Sequence, residues 1–571
     1  MMERLWQTIK GHSPEAVQGL AKAIHVNSIL AQLLLHRGVH DFNTAACFFK
    51  PDAKQLHDPY LMHGMAKSVQ RIIDAMMKKE NIMIYGDYDV DGTTAVSIVF
   101  DYLKTHYDAI QYYIPDRYTE GYGISKQGIA YAAAQNISVI IALDCGIKAI
   151  DAIAKAKSFG IDVIVCDHHL PGPQLPDAFA ILNPKQAQCP YPYKELSGAG
   201  IGFKLIQALS KQLDDTDKTW AYLDLTVCSI AADIVPLTGE NRVLACLGLQ
   251  QLNTKPRPGL KALLDLGYSK SAVTISTLVF TLAPRINAAG RMKHAHMAIE
   301  LLLSANDIKA RELSGQINDT NTLRRDVDSE TTQQALNMIT SDPKAEQRYT
   351  TVLFNADWHK GIVGIVASRM IESFYKPTII LTESEGKITG SARSVKDFDL
   401  YTALEQCAEY LLQFGGHKYA AGLTMDKQHL KAFSDKFESI AAQTISADQR
   451  IPTLEIEAEL GFQQLTPKFL RVLEKFAPHG PSNLSPLFIS RAVLDSGWAH
   501  VMGQNHLKLN VFQNQNPNLQ FPAMAFNMAH TIDAIQKQVP MDIVYKINFT
   551  NPGSSAKSNV QLIIEDMRPT A

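Results

Sequence analysis

The sequence predicts a multidomain α/β protein. A parallel-sheet domain is joined by a long helix to a second α/β domain, and an OB-like β-barrel follows at the C-terminal end. Three observations predict this. The chain has 571 residues, too many for one hydrophobic core. Between residues 81 and 167, wholly apolar runs alternate with helix-patterned segments, as parallel strands covered on both faces do. After Pro452 that texture gives way to short alternating strands separated by Gly, Asn and Pro.

Taken in order, residues 1–50 read as short helices, of which SILAQLLLHRG has helical apolar spacing and stops at Gly38. Residues 51–305 form the first α/β domain. In it KSVQRIIDAMMKKE is an amphipathic helix, followed by strand IMIY and helix TTAVSIVFDYLKTHY. Strand SVIIAL leads into helix IKAIDAIAKAKSFG, and strand DVIV follows. From about Trp220 to Ala305 the pattern is largely helical. Residues 306–344, rich in charge and poor in breakers, read as a connecting helix. Residues 345–446 restart the β/α pattern with TTVLFNAD, helix IVGIVASRMIESF and strands TIILTE and KITGSAR. Residues 452–571 carry TLEIEAEL, LFISRAVLDSGWAH, HLKLNVFQ, MDIVYKINFT and NVQLIIEDM, the strands of the barrel. The short polar stretch NPGSSAKSN is the only low-complexity segment.

Composition narrows the function classes. Hydrophobic residues at 46% and charged residues at 20% exclude long disorder. No apolar run approaches the ~18 residues of a membrane span, and the first residues lack a signal peptide's apolar core. A soluble, cytoplasmic protein is the expectation. Cysteines at 47, 145, 166, 189, 228, 246 and 407 form no CxxC pair, which argues against a disulfide framework and a structural zinc site. The net charge of −2 leaves a nucleic-acid partner to be decided by local charge.

Four segments carry the chemistry. Asp87, Asp89 and Asp91 follow the strand IMIY in YGDYDVDGTT. Asp144 ends SVIIAL, and Asp167, His168 and His169 end DVIV. Asp233 sits in the otherwise apolar SIAADIVPL. Ligands of open α/β sheets collect at the carboxyl ends of strands, so three strands deposit acids and histidines at one edge. Hydrolysis of a phosphodiester needs neutralised charge and hydroxide at neutral pH, which two divalent ions about 3.5–4 Å apart provide. Carboxylates mixed with imidazoles and no thiolate cluster suit Mn2+ or Mg2+. Any one Asp in a Gly-containing loop is as readily a turn former or cap. A calcium loop would need a flanking helix and a Glu at its last ligand position, and here a strand precedes the motif. Gly92, Thr93 and Thr94 open the next helix, either as caps or as a phosphate-facing N-terminus.

GDYDVDG, DCG, DHH and AADIVPL occur in the order and approximate spacing of DHH-family phosphoesterases, which this chain resembles. IPDRYTEGYG, TLAPRINAAGRM, WHKGIVGIVASRM, GSARS and FGGHKYAAG resemble the exonuclease branch of that family, with its DHHA1 nucleic-acid-binding domain. The resemblance covers almost the whole chain. It implies a single-stranded-DNA-specific 5′-3′ exonuclease that releases 5′-mononucleotides by two-metal-ion hydrolysis and acts in DNA repair and recombination. It implies Asp87, Asp89 or Asp91, Asp144 as bridge, His168 and Asp233 as metal ligands; which two acids of the first motif bind directly stays open. His169 and Asp167 would orient the ligands or complete the catalytic set. Ser391 and Arg393 would hold substrate phosphate at the 5′ end, with Gly415, Gly416 and His417 beside the strand. Arg117, Tyr122, Gly123, Arg285 and Arg291 are further candidates for substrate contact by that resemblance.

Two departures from the family pattern stand out. Tyr85 replaces a common His, which removes any ligand from that position, and Cys228–Ser229 replaces Gly–Thr, a change expected to alter packing only. Phe488, Trp498 and Phe512 are candidates for base stacking, with most expected in the barrel core. Single-stranded DNA is the expected partner, with a single-strand-binding protein or a helicase as companions, no membrane, and a monomeric state. Two rivals are a phosphoesterase for short oligonucleotides, cyclic dinucleotides or pyrophosphate, and a non-catalytic replication scaffold. The barrel speaks against the first and the full set of acids and histidines against the second.

Overall fold

The computed structural model describes residues 4–267, 272–292, 294–549 and 560–570. The polar stretch NPGSSAKSN lies outside the described residues. The chain divides into two compact units, one of residues 12–321 and 469–485, the other of residues 1–11, 322–468 and 486–571.

The first unit is built on a five-stranded, wholly parallel sheet. Its strand order is Ile110–Tyr113, Asn81–Gly86, Ile137–Leu143, Asp162–Cys166, Ala180–Leu182. Alternate residues feed opposite faces: Ile82, Ile84, Val139 and Ile141 enter one core, Met83, Tyr85, Ile140 and Ala142 the other. Burial on both faces explains why these strands read as unbroken apolar runs. The chain runs from Asn81–Gly86 out to one neighbour and returns to Ile137–Leu143 on the other side. The topological switch point therefore lies between the strands that end at Asp87 and Asp144. Helices Leu223–Ala232, Gly239–Thr254, Pro258–Asp265, Ala283–Met292 and His296–Leu302 fill the second half of the unit. Helix Asp307–Thr340 carries the chain out of this unit into the other.

In the second unit, Thr351–Phe354 pairs in parallel with Thr378–Ser384, and Lys387–Arg393, Ala420–Met425 and Gln413–His417 extend the sheet antiparallel. The barrel runs Phe488–Asp495, Met541–Phe549, Val560–Pro569, Asn516–Ala525, His506–Gln513 and closes where Phe488–Asp495 meets His506–Gln513. This is the five-stranded, closed order of an OB-fold.

Two boundaries differ from the sequence reading. Residues 1–50 are not only helical: Leu5–Thr8 is a strand paired in parallel with Thr453–Ile456, and the Trp6 indole donates to Asp566 at 2.7 Å. Four residues are too few to show a period, and the partner strand is distant in sequence. Residues 469–485, read as barrel, belong to the first unit. There the guanidinium of Arg242 donates to the carbonyls of Lys475, Phe476 and Ala477, just past the end of helix Pro467–Glu474.

Candidate metal centre

The loop after Asn81–Gly86 enters helix Val90–Lys104 almost at once. Asp87 thus sits at the strand end, Asp89 at the N-cap and Asp91 in the first helical turn. Asp89 accepts the Gly92 N–H at 3.0 Å. The turn demands glycine at 92, where a Cβ would lie 2.5 Å from the Asp87 carbonyl oxygen. The hydroxyls of Thr93 and Thr94 turn back onto the carbonyls of Asp89 (2.6 Å) and Val90 (2.7 Å), within their own helix.

Asp91 is gripped from elsewhere. The N–H groups of Gly198 and Ala199, at the start of helix Gly198–Leu213, donate to its two oxygens at 2.7 Å each. Ser229 donates to Oδ1 at 2.8 Å. The departure at Ser229 therefore touches the site itself and not only the packing. Gly198 has a second duty, because a Cβ there would come within 2.7 Å of Asp144 Oδ1. Asp144 has a left-handed backbone (φ 59°), an uncommon conformation for a residue other than glycine and one that recurs at functional sites. His168 Nε2 lies 3.2 Å from Asp144 Oδ1, 3.5 Å from Asp233 Oδ2 and 3.8 Å from Asp91 Oδ2. Asp233 ends helix Leu223–Ala232.

Three overlapping groups have ligand atoms within 4.8 Å of one another: Asp87, Asp89 and Asp144; Asp144, His168 and His169; Asp91, His168 and Asp233. Asp144 and His168 each belong to two of them. Burial, then mutual repulsion, raises the carboxyls of Asp87, Asp89, Asp144 and Asp233 above their ordinary range, and burial lowers His168. Burial also opposes charge on Asp167 and His169, but their 2.7 Å hydrogen bond and mutual attraction, together with further hydrogen bonds to Asp167 and nearby acids around His169, outweigh it, holding the acid low and the imidazole high. Asp167 also accepts the Ile147 N–H at 2.9 Å, which makes it the residue that orients His169. Asp87 Oδ1, Asp144 Oδ1 and both ring nitrogens of His168 are buried without a hydrogen-bond partner. Such atoms are costly to bury, and oxygen with imidazole nitrogen is the donor set that Mn2+ or Mg2+ takes. The residues fit a pair of divalent cations.

Residues 81–230 match the model of the DHH family, N-terminal domain, residues 346–443 the DHHA1 domain, and residues 456–566 the RecJ OB domain. The chain is 35% identical over 565 residues to the single-stranded-DNA-specific exonuclease RecJ of Bacillus subtilis, covering 98% of this chain and 70% of that protein. It is 31% identical to the RecJ of Dickeya dadantii, covering 95% and 96%. The chain belongs to the RecJ family. A crystal structure of RecJ from Thermus thermophilus in complex with Mn2+ matches with a TM-score of 0.83 at 25% identity, over 99% of this chain and 80% of that one. A crystal structure of exonuclease RecJ bound to manganese matches with a TM-score of 0.59 at 30% identity, over 68% and 96%.

Of the further residues that the sequence offered, several gather around the cluster of acids and histidines. Arg117 covers the Tyr88 ring at 4.9 Å, and its charge acts on Asp87. Tyr122 donates to the Asp144 carbonyl at 3.1 Å, lies 3.2 Å from His169 Nε2 and leaves 57% of its surface exposed. Gly123 has φ 82° and receives the Tyr85 hydroxyl on its carbonyl. That places Tyr85 in packing, with no atom in the cluster. The charge of Arg291 acts on the Tyr88 phenol. Arg285 stands apart, its Nε donating to Asn318 at 3.1 Å between two helices. In the other unit, Arg393 donates to Ser391 Oγ and to the Ala392 carbonyl, each at 2.9 Å. Gly364, in the first turn of helix Val363–Phe374, lies so close that a Cβ would come 3.0 Å from Ser391 Oγ and 3.2 Å from Arg393 Nη2. Hydroxyl, guanidinium and helix N-terminus thus converge. Gly415, Gly416 and His417 form an exposed strand, and Gly416 (φ 147°) approaches Ala420 too closely for a side chain. Ser229 and Gly198 were missed as site residues; the run SGAGIG, with a cap residue before small residues, was the available signal for the second.

Proposed function

We propose that this chain is a metal-dependent exonuclease that removes 5′-mononucleotides from the 5′ end of single-stranded DNA. The observation that carries the reading is the set of buried ligand atoms on Asp87, Asp144 and His168 that make no hydrogen bond, gathered at the carboxyl ends of the strands. When bound, a pair of divalent ions neutralises the phosphodiester and lowers the pKa of an attacking water. Asp87, Asp89 and Asp144 would hold one cation and Asp91, His168 and Asp233 the other, the two groups lying side by side in one cluster. Asp167 orients His169, and the Tyr122 hydroxyl fixes the loop that carries Asp144. Arg117, Tyr122, Gly123 and Arg291 face the substrate at this centre. Ser391, Arg393 and the N-terminus of helix Val363–Phe374 take the terminal phosphate, where a guanidinium fork matches phosphate oxygens.

The division into a catalytic domain (51–305), connecting helix (306–344), nucleic-acid-binding domain (345–446) and barrel (452–571, less 469–485) follows these roles. In an OB-fold the second and third strands and their loops bind oligonucleotides. Trp498 is half exposed there, with Lys508 over its ring at 5.0 Å. Phe488 is wholly buried. Among the described residues no helix is long and apolar enough to cross a membrane. A cytoplasmic location, a monomeric state, and a single-strand-binding protein or helicase as companions rest on the family resemblance. Product analysis tests the reading. Single-stranded DNA digested with Mn2+ should yield 5′-mononucleotides, with none formed in EDTA or by Asp144→Ala; oligonucleotide or 3′-mononucleotide products would contradict it.

A further inference from the structure

Helix Ala283–Met292, from the motif APRINAAGRM, contains none of the carboxylates and imidazoles of the cluster. It follows directly on a π-helical turn, Leu278–Leu282, a feature frequent at functional sites. Two of its residues, three apart and so on one face, meet the metal loop. Asn287 Oδ1 accepts the Val90 N–H at 3.2 Å. That amide opens the helix carrying Asp91, where helix geometry supplies no internal partner. Gly290 abuts the preceding turn, for a Cβ there would lie 2.6 Å from the Tyr88 carbonyl oxygen and 3.4 Å from the Tyr88 Cβ. Arg117 covers the Tyr88 ring at 4.9 Å. The backbone between Asp87 and Asp91 is therefore held at two points by one helix outside the loop.

That grip has a physical reason. Asp87 and Asp89 carry oxygens within 4.8 Å of each other, with Asp91 two residues on, and carboxylates so close repel one another. A free loop would relieve the repulsion by spreading its acids apart. We propose that Asn287 and Gly290 are positioning residues, which fix the backbone at Tyr88 and Val90 so that the three carboxylates keep a spacing that two divalent cations can occupy. The proposal rests on the metal reading above. Neither residue touches a cation or the substrate; each acts through the loop.

The test is Mn2+ binding by the full chain, read from the electron paramagnetic resonance signal of unbound ion, with activity on single-stranded DNA followed as Mn2+ is raised. Asn287→Leu and Gly290→Ala should weaken Mn2+ binding by about 10–100-fold, the range for residues that orient metal ligands. Their activity should recover as Mn2+ is raised. Asn287→Asp keeps an acceptor for the Val90 N–H and should bind Mn2+ close to wild type. Where Gly290→Ala fails to fold, the two Asn287 variants decide. Wild-type Mn2+ affinity in Asn287→Leu, or equal losses in Asn287→Leu and Asn287→Asp, would overturn the proposal. If wild type binds no more Mn2+ than Asp144→Ala, the metal reading itself fails.

Discussion

The hydroxyl of Ser229 donates to Asp91 Oδ1 at 2.8 Å and completes a set of three donors on one carboxylate, the others being the Gly198 and Ala199 amides. Three hydrogen bonds fix the orientation of that carboxylate and set the direction of its remaining lone pairs. The helix bearing Asp233 is thereby tied to the acid of the first motif, because Ser229 and Asp233 lie at one end of it. Loss of the hydroxyl should loosen two ligands together.

Ser229→Ala is expected to cost about 1.5–3 kcal/mol of stability, the range for a hydrogen bond to a charged group, and to weaken Mn2+ binding by about tenfold. Ser229→Thr keeps the hydroxyl and should restore both. Urea unfolding in EDTA and a Mn2+ titration read the two effects separately. Equal behaviour of the Ala and Thr variants would show that only packing matters at 229.

The metal-free protein should be strained by its own acids. Burial, then Asp91, Asp89, Asp233 and Asp87, pushes the Asp144 carboxyl well above its ordinary 3.8. Between its unfolded and native values such an acid binds more protons when folded, so it subtracts stability as pH rises through that window. In EDTA, Asp144→Asn should therefore be more stable than wild type at pH 8. The difference should shrink toward pH 4, and Mn2+ should reverse the order at pH 8. Asn tolerates the left-handed backbone at this position. A gap that does not change with pH would refute the electrostatic account.

Arg393→Ala should raise KM for 5′-phosphorylated strands by about tenfold or more, a loss of roughly 1.4 kcal/mol. It should leave 5′-hydroxyl strands little changed. Steady-state kinetics on the two substrates make the comparison, and equal losses on both would assign the residue to folding.

Trp498→Ala removes a half-exposed ring and should fold normally. Its affinity for long single strands should fall by about 1–3 kcal/mol, the value of one stacked base, while short oligonucleotides are degraded as before. Fluorescence anisotropy with labelled strands of two lengths measures this. No change for the long strand would remove the ring from the DNA path.

Much of the centre was legible because each acid follows a buried strand at once. IMIY, SVIIAL and DVIV announce themselves as parallel strands, and their carboxyl ends can only meet at one sheet edge. The long helix was equally plain, being charged and having Gly315 as its one glycine and no proline. The order of strands was not legible, since Ile110–Tyr113 and Ala180–Leu182 are too short to show a period. Leu5–Thr8 was hidden for the same reason, with a partner near the far end of the chain. Ser229 lies in the apolar helix LDLTVCSIAA, where one hydroxyl reads as packing until the fold sets it against Asp91. Asn287 and Gly290 belong to a visible motif, but a hydrogen bond to a main-chain N–H and a close approach to a carbonyl leave no trace in sequence.

The central claim is an exonuclease that works from the 5′ end of single strands through the Asp87–Asp144–His168 cluster. The most direct measurement is the order of label release from single-stranded DNA labelled at either end, with Mn2+ present and with duplex DNA and Asp144→Ala run alongside. The account predicts early release of the 5′ label alone, with duplex and Asp144→Ala inert. Release of the 3′ label first, or equal release from duplex, would contradict it.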